Sequence, residues 1–418
     1  MSIKMISFLG SNKYTHGTYG LGDKQCDTNF IQIALADILQ PEEVYVLVTK
    51  GEIGSRRRNW EGIQCDHDGK IEEITGLKEC SQDLSQTIFH PVDIPEGKNI
   101  DEIWGIFNKI NECIEDGDTI IFDVTHSFRS IPIIGLTCIQ YLRVVKNIKL
   151  QGIYYGAWEA RIDNNNIAPI IELTSLVDLM DWSHAVRSFD STGNIVELKK
   201  LLDAETLPRR KESKGQDKEA VLLYKFANNL ENFINSLATC RGEDLYAGGY
   251  LERISSQIAE LKKTDLLPAI EPLLDILAQK IDQCLLSGSD EYKIVRRGFE
   301  AAKWCAEHGQ IQQAYTILRE NILTYVCLLN GQPINNREYR ENISWALQER
   351  AKSKSQSQDS PSISLDNLPV EIFSLYDKLS QRRNDLNHAG ITIDSVKSST
   401  LTKDIEDLLQ KVLDCLKL

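Results

Sequence analysis

Two stretches of the chain concentrate side chains able to do chemistry. In the first, Asp123-Val124-Thr125-His126-Ser127-Phe128-Arg129-Ser130-Ile131-Pro132, the hydroxyls of Thr125 and Ser127, the imidazole of His126 and the guanidinium of Arg129 crowd one turn between an apolar run and a helical segment. Donors of those three kinds, held in a single turn, suit a phosphate or a nucleobase edge. A plainer reading stands beside it, with Ser127 as a helix N-cap and His126 as a hydrogen-bonded turn residue. In the second stretch, QRRNDLNHAG from Gln381 to Gly390, Arg383 precedes His388 with four residues between them. The chain has 7 histidines, and none of the others has an arginine five to seven positions before it. This pair fits metal-independent RNA cleavage, in which the substrate's own 2′-OH attacks the neighbouring phosphate. His388 would move the proton and Arg383 would stabilise the anionic phosphorane. Asn384 would orient the imidazole or hold a phosphate oxygen. Products would end in a 2′,3′-cyclic phosphate and a 5′-OH, and DNA, lacking the nucleophile, would be spared. The alternative is that His388 interacts with the C-terminal end of its own helix while Arg383 forms a surface ion pair.

Helix geometry adds a condition. Residues five apart lie about 140° round the axis, so Arg383 and His388 of one chain face different directions, whereas Asn384 and His388 share a face. A two-fold axis that brings the same helix from each of two chains together would place both arginines and both histidines round one phosphate. Gly390 then stands where a C-cap would end the helix.

Phe8-Leu9-Gly10 after the first apolar run, Thr49-Lys50 after the second, and above all DVTHSFRSIP resemble the sensor domain of CRISPR-associated CARF proteins, specifically the CARF–HEPN accessory ribonucleases of type III systems, of the Csm and Csx type. RNDLNHAG resembles the RxxxxH motif of HEPN ribonucleases, an all-helical superfamily. The resemblance implies an α/β Rossmann-like CARF sensor followed by an all-α HEPN domain. It further implies that two copies pair and bind a cyclic oligoadenylate, of four or six adenylates, as an activator across their axis, with no metal and no cofactor. The implied ligand-binding residues are Gly10, Ser11, Asn12, Thr49, Lys50, Thr125, His126, Ser127 and Arg129; the implied catalytic residues are Arg383, Asn384 and His388. Lys50 is equally readable as a surface lysine, and Arg56-Arg57-Arg58 add candidate phosphate contacts.

The elements that must position these residues change character along the chain. Met5 to Leu9, Val44 to Thr49, Thr119 to Val124 and Leu150 to Tyr154 are short apolar runs separated by helical periodicity, as in Phe30 to Leu39 and Ile131 to Val145. That alternation predicts a mostly parallel sheet, whose strand ends at the carboxyl edge form the expected site. The first strand leads into a loop carrying Gly17, Gly20 and Gly22, which do not match GxGxxG, so nicotinamide or flavin binding is not indicated. Beyond about residue 175 only helical spacing remains. The expected division is a sensor domain at 1–178, a helical connector and hinge at 179–217, and a helical domain at 218–418 with a mobile loop near 351–364. PRRKESKGQD, Pro208 to Asp217, is the proposed hinge, and AKSKSQSQDSPSIS, Ala351 to Ser364, the loop, because neither composition supports a core.

At 418 residues, 42% of them hydrophobic, the chain can fill two cores. No segment approaches the roughly 20 apolar residues of a membrane span, and no secretory cleavage signal is evident. The 10 cysteines contain no CxxC pair and read as reduced thiols in the cytoplasm. Cys305 and His308 form a lone CxxH that reads as packing rather than a metal site. A net charge of −14 argues against stable DNA binding, which needs many neutralised phosphates, but leaves room for a small anion or a single-stranded RNA substrate at a local basic site. Of the other basic clusters, Arg209-Arg210-Lys211 and Arg296-Arg297 read as solvated surface charge. The assembly expected is a homodimer or a higher oligomer built from it. Two other functions remain open: a ligand-responsive regulator without catalysis, and a sensor that also degrades its own cyclic oligoadenylate.

Overall fold

The computed structural model describes residues 2–65, 71–126, 131–161, 167–264, 271–284, 292–352, 363–391 and 393–417. They fall into two compact units, Met1–Leu179 and Met180–Leu418.

The first unit runs β1 (Ile3–Phe8), β2 (Gly17–Leu21), β3 (Lys24–Thr28), α1 (Ile31–Leu39), β4 (Glu43–Thr49), β5 (Ile63–Cys65), β6 (Ile71–Glu73), α2 (Leu77–Cys80), β7 (Ile88–Ile94), α3 (Ile100–Cys113), β8 (Thr119–Asp123), α4 (Ile131–Val145), β9 (Lys149–Gly156) and β10 (Ile167–Glu172). Eight of these strands form one sheet in the order β3-β2-β10-β9-β8-β1-β4-β7, and β5 pairs only with β6. The pairings β8 to β9, β1 to β8, β1 to β4 and β4 to β7 are all parallel, as the alternating pattern predicts. The central strands are mostly apolar because both faces are covered. Met5, Val44, Val46 and Ile121 pack with α1 on one face, whereas Ile6, Phe8, Ile120 and Phe122 pack with residues of α3 and α4 on the other. The glycine-bearing stretch expected as a loop is instead the antiparallel β2–β3 hairpin, with Gly22 at φ +58° in its turn. A left-handed turn residue favours glycine, so the glycines mark a hairpin rather than a phosphate loop.

Helix α5 (Thr174–Thr192) spans the boundary between the units. The second unit continues with α6 (Val196–Glu212), α7 (Lys218–Ala238), α8 (Gly242–Ala247), α9 (Gly249–Leu261), α10 (Glu271–Cys284), α11 (Lys293–Glu307), α12 (Ile311–Leu329), α13 (Arg337–Lys352), α14 (Glu371–Asn387) and α15 (Ser398–Leu416). Their buried residues recur at helical spacing, as Ile372, Tyr376 and Leu379 do on α14, and merge into one core with Tyr315, Leu318 and Ile322 of α12 and Ile405, Leu408 and Val412 of α15.

Two expectations change here. Residues 208–217 are not a free hinge: they form the last turn of α6 and a short turn into α7, clamped by Arg209 against Glu205, Asp217 and Glu219. Asp217 also caps α7, accepting from the Ala220 amide at 2.9 Å. Arg297 is buried rather than solvated, its guanidinium donating to the Ala247 carbonyl and to Glu252. Most of the expected mobile loop, residues 353–362, lies outside the described residues. Cys305 is buried in the helical core, and His308 contacts Lys280 and the Trp304 carbonyl.

Candidate functional site

In the first unit the sequence order of the strands reverses beside β1, with β4 on one side and β8 on the other. Loops diverge at such a switch point and leave a crevice at the carboxyl ends of the strands. Parallel register sets Ser7 of β1 opposite Asp123 at the end of β8. Asp123 is fully buried and accepts three hydrogen bonds, from Ser7 Oγ at 2.6 Å, Thr125 Oγ1 at 2.5 Å and the Thr125 amide at 2.9 Å. Gln32 of α1, also buried, donates to Ser7 Oγ and to the Phe8 carbonyl, each at 3.0 Å, while the Gly156 amide donates to Thr125 Oγ1. Each hydroxyl thus accepts one hydrogen bond and donates another to the same carboxylate. Burial nevertheless pushes the Asp123 carboxyl above its ordinary range, against the hydrogen bonds from Ser7 and Thr125.

The loop after β1 is pinned from outside. Asn59, buried, donates from Nδ2 to the Gly10 and Asn12 carbonyls at 2.6 and 2.7 Å, and Arg58 Nη1 reaches the Ser11 carbonyl at 3.3 Å. The Gly10 amide donates to the Tyr14 hydroxyl at 2.8 Å, and that ring lies 4.5 Å from the His126 ring. A Cβ on Gly10 would sit 2.8 Å from the Tyr14 hydroxyl, so this approach requires glycine. Thr49 and Ser55 exchange hydrogen bonds, the Thr49 amide to Ser55 Oγ and the Ser55 amide to Thr49 Oγ1.

A cavity of about 330 Å³ opens over these groups, lined by Gly10, Ser11, Asn12, Thr49, Thr125 and His126 together with Tyr14 and Ile94. Six of the nine predicted ligand residues therefore share one pocket. Buried His126 Nε2 has no hydrogen-bond partner among the described residues, an unmet polar group of the kind a ligand satisfies. Burial holds the imidazole below the ordinary histidine range and so keeps it neutral. Ser127 and Arg129 lie outside the described residues. Lys50 does not line this cavity. Its side chain, 71% exposed, pairs with Asp93 at 3.2 Å beside a neighbouring cavity of about 440 Å³ that also presents Lys98 and Glu102. Arg56 pairs with Asp93 at 2.7 Å, and Arg57 lies near Glu52, so the arginine cluster braces the loops rather than lining the pocket. Burial pushes Asp93 up, but Arg56 and Lys50 outweigh it and hold the carboxyl below its usual range.

Sequence reasoning overlooked Tyr14, Gln32 and Asn59 as supports, and treated Asp123 only as part of a motif. Gln32 and Asp123 carried a visible signal, each a polar residue in an otherwise apolar run. Tyr14 and Asn59 carried none.

In the second unit α14 ends at Asn387, with His388 as the residue that follows the last helical turn. Its amide donates to the Asn384 carbonyl at 2.9 Å, and the Gly390 amide to the Asp385 carbonyl at 2.9 Å. Ala389 and Gly390 are both left-handed, φ +56° and +71°, so the stop begins one residue earlier than the expected glycine cap. The side chain of Asp385, buried, accepts from the Val396 amide and fixes the chain beyond the stop. Arg383 continues the stripe of Tyr376 and Ser380 and is half-buried, whereas Asn384 and His388 are exposed. The Arg383 guanidinium reaches Asn384 Oδ1 at 3.3 Å, and with the Asn387 amide turned to present its oxygen, Nε and Nη1 reach that residue at 3.0 and 3.3 Å. No hydrogen bond joins Arg383 to His388 among the described residues, as the 140° separation anticipates.

No helix among the described residues is long and apolar enough to cross a membrane. Residues 4–159 match the family model of the CARF domain of the CRISPR system endoribonuclease Csx1. That span contains every residue of the strand-end pocket. CRISPR-associated protein MJ1674 of Methanocaldococcus jannaschii is 29% identical over 263 residues, an alignment covering 60% of this chain and 36% of that relative. The match thus spans little more than a third of the relative's length. With a parallel sheet, a switch-point pocket and a family match over the same residues, residues 4–159 form a domain similar to the CARF domain of the CRISPR system endoribonuclease Csx1.

Proposed function

We propose that the chain binds a cyclic oligoadenylate at the strand-end pocket and in response cuts single-stranded RNA at the end of α14, acting in CRISPR antiviral defence in the cytoplasm. The observation that carries this reading is the pocket itself. It offers an unpaired imidazole nitrogen and a loop fixed at both of its carbonyls, within the span that matches a CARF domain. Fixed polar groups round a neutral imidazole suit the edges and phosphates of a nucleotide without requiring the ligand to order the loop first.

The helical unit is, on this reading, a HEPN domain. His388 transfers the proton of the attacking 2′-OH or of the leaving 5′-oxygen, and Arg383 stabilises the charge that develops on the phosphorane. No step requires a metal ion. Because Arg383 and His388 point apart within one chain, a homodimer completes the site by bringing two copies of α14 together. The first unit offers a pairing face of its own, since Trp104 of α3 and Ile133, Tyr141 and Val144 of α4 are exposed. Ligand binding then shifts the population toward the dimer arrangement in which the two motifs meet.

The test is to incubate the protein with cyclic tetra- or hexa-adenylate and a mixed-sequence fluorescent RNA in the presence of EDTA. Cleavage that depends on one of the rings and leaves 2′,3′-cyclic phosphate ends is expected. Cleavage that ignores both rings, or that stops with EDTA, overturns the reading.

A further inference from the structure

A second cavity, about 270 Å³, lies in the helical unit between the start of α8, the N-terminal half of α12 and the residues leading into α13. It adjoins the end of α14. Gln312, on the first turn of α12, meets Asn387, and Gln313 reaches the Ala238 carbonyl at the end of α7. Cys240 lines the cavity, and the charges of Arg241 and Arg383 act on its thiol. Arg383, the arginine of the RxxxxH motif, stands on the last turn of α14, the turn whose Asn387 meets Gln312.

The lining divides into spent and unspent groups. Glu320 is neutralised on both oxygens, by Arg319 at 2.5 Å and Arg340 at 2.8 Å. Arg340 is itself used up, donating also to Thr324 Oγ1 and to the Ile334 and Glu320 carbonyls. Glu243, Asn335 and the half-buried Thr316, in contrast, have no side-chain partner among the described residues, while Ile317 and Ile334 supply apolar wall. An apolar wall edged by the exposed carboxylate of Glu243, the exposed amide of Asn335 and the hydroxyl of Thr316 matches a nucleotide in outline: phosphate outside, base against the wall.

Resting on the RNA-cutting reading of α14, we propose that this cavity receives the nucleobase beside the scissile phosphate and selects adenine, cytosine or guanine against uracil. A carboxylate can only accept hydrogen bonds. Adenine, cytosine and guanine each present an exocyclic amino group to it, while the pairing edge of uracil places two carbonyl oxygens on either side of a single N–H. Seating uracil against Glu243 at the cavity edge sets oxygen against oxygen, and a polar site rejects a partner that leaves it unpaired.

The experiment compares cut sites of the ring-activated wild type, Glu243→Gln and Asn335→Ala on an RNA with all four bases in equal representation. Glu243→Gln is isosteric and gives the edge a donor as well as an acceptor. It is expected to raise cutting beside uracil relative to the other three on the order of tenfold, without moving the activator concentration for half-maximal rate. Asn335→Ala should alter the ranking among the remaining three. Cut-site spectra of wild type and Glu243→Gln that superimpose, or a wild type that cuts beside uracil as readily as beside the others, overturn the base pocket while leaving the nuclease reading intact. If the activated wild type cuts no RNA, the nuclease reading falls and takes the base pocket with it.

Discussion

In the strand-end pocket of the sheet unit, Asp123 accepts from three donors, Asn59 ties two carbonyls of the loop after β1, and the Tyr14 ring packs at a tilt against His126, so the walls are held by groups of the same chain. At the end of α14 the reverse holds: Asp385 and the helix fix the backbone, yet His388 and Asn384 stand exposed, and the hydrogen bond to the Asn384 side chain comes from Arg383 of the same helix. The first arrangement is preorganised for a ligand by a single subunit. On the proposed reading the second supplies half a site, a geometry that suits an activity which must stay silent until two copies meet.

The sharpest break in this comparison is His388→Ala. Because the imidazole is exposed, RNA cleavage should fall by on the order of 10²–10⁴, while affinity for the cyclic oligoadenylate, measured by calorimetry, stays at the wild-type value. Loss of both together would mean the two regions are one site. Next in size is Asp123→Ala, which strands the buried donors of Ser7 and Thr125. A destabilisation of about 3 kcal/mol in a urea titration is expected, with ligand binding lost; a shift below about 1 kcal/mol would show that the network holds no wall of the pocket.

The third prediction concerns pH. Burial lowers the pKa of His126 in the folded chain, so below the ordinary value of about 6.5 the unfolded chain binds more protons than the folded one. The stability due to neutral His126 is present above that value and is lost as pH falls. Asp123, raised by burial, acts in the opposite sense nearer the carboxylate range. Melting temperatures between pH 7.5 and 5.5 should therefore drop more steeply for the wild type than for His126→Asn; parallel slopes would place the imidazole in solvent. The smallest effect is expected from Gly10→Ala. Its methyl group displaces the Tyr14 hydroxyl and forfeits one hydrogen bond, costing about 1 kcal/mol and raising the ligand concentration needed for activation, with cleavage at saturation unchanged.

Some of this was legible in the residues and some was not, for identifiable reasons. Strands β1, β4, β8 and β9 announced themselves because burial on both faces makes them apolar runs. The edge strand β7, Ile88–Ile94, carries His90, Pro91 and Asp93 and is half-exposed, so its composition looks like a loop. The β2–β3 hairpin was hidden because its glycines also suit a phosphate loop. Lys50 followed a strand as the pocket residues do, but Asp93 draws it to the neighbouring cavity.

The residue pattern alone determined the alternation of strand and helix in front, the helical periodicity behind, and which two strings carry reactive side chains. These are local properties, set by the period of burial and by the chemistry of neighbouring residues. Only the tertiary structure decided that Ser7 meets Asp123 and Gln32 meets Ser7, that Asn59 braces Gly10, and that Glu243 and Asn335 share a cavity. Such partners are tens to more than a hundred positions apart, and their meeting depends on sheet register and helix packing, which no local spacing encodes.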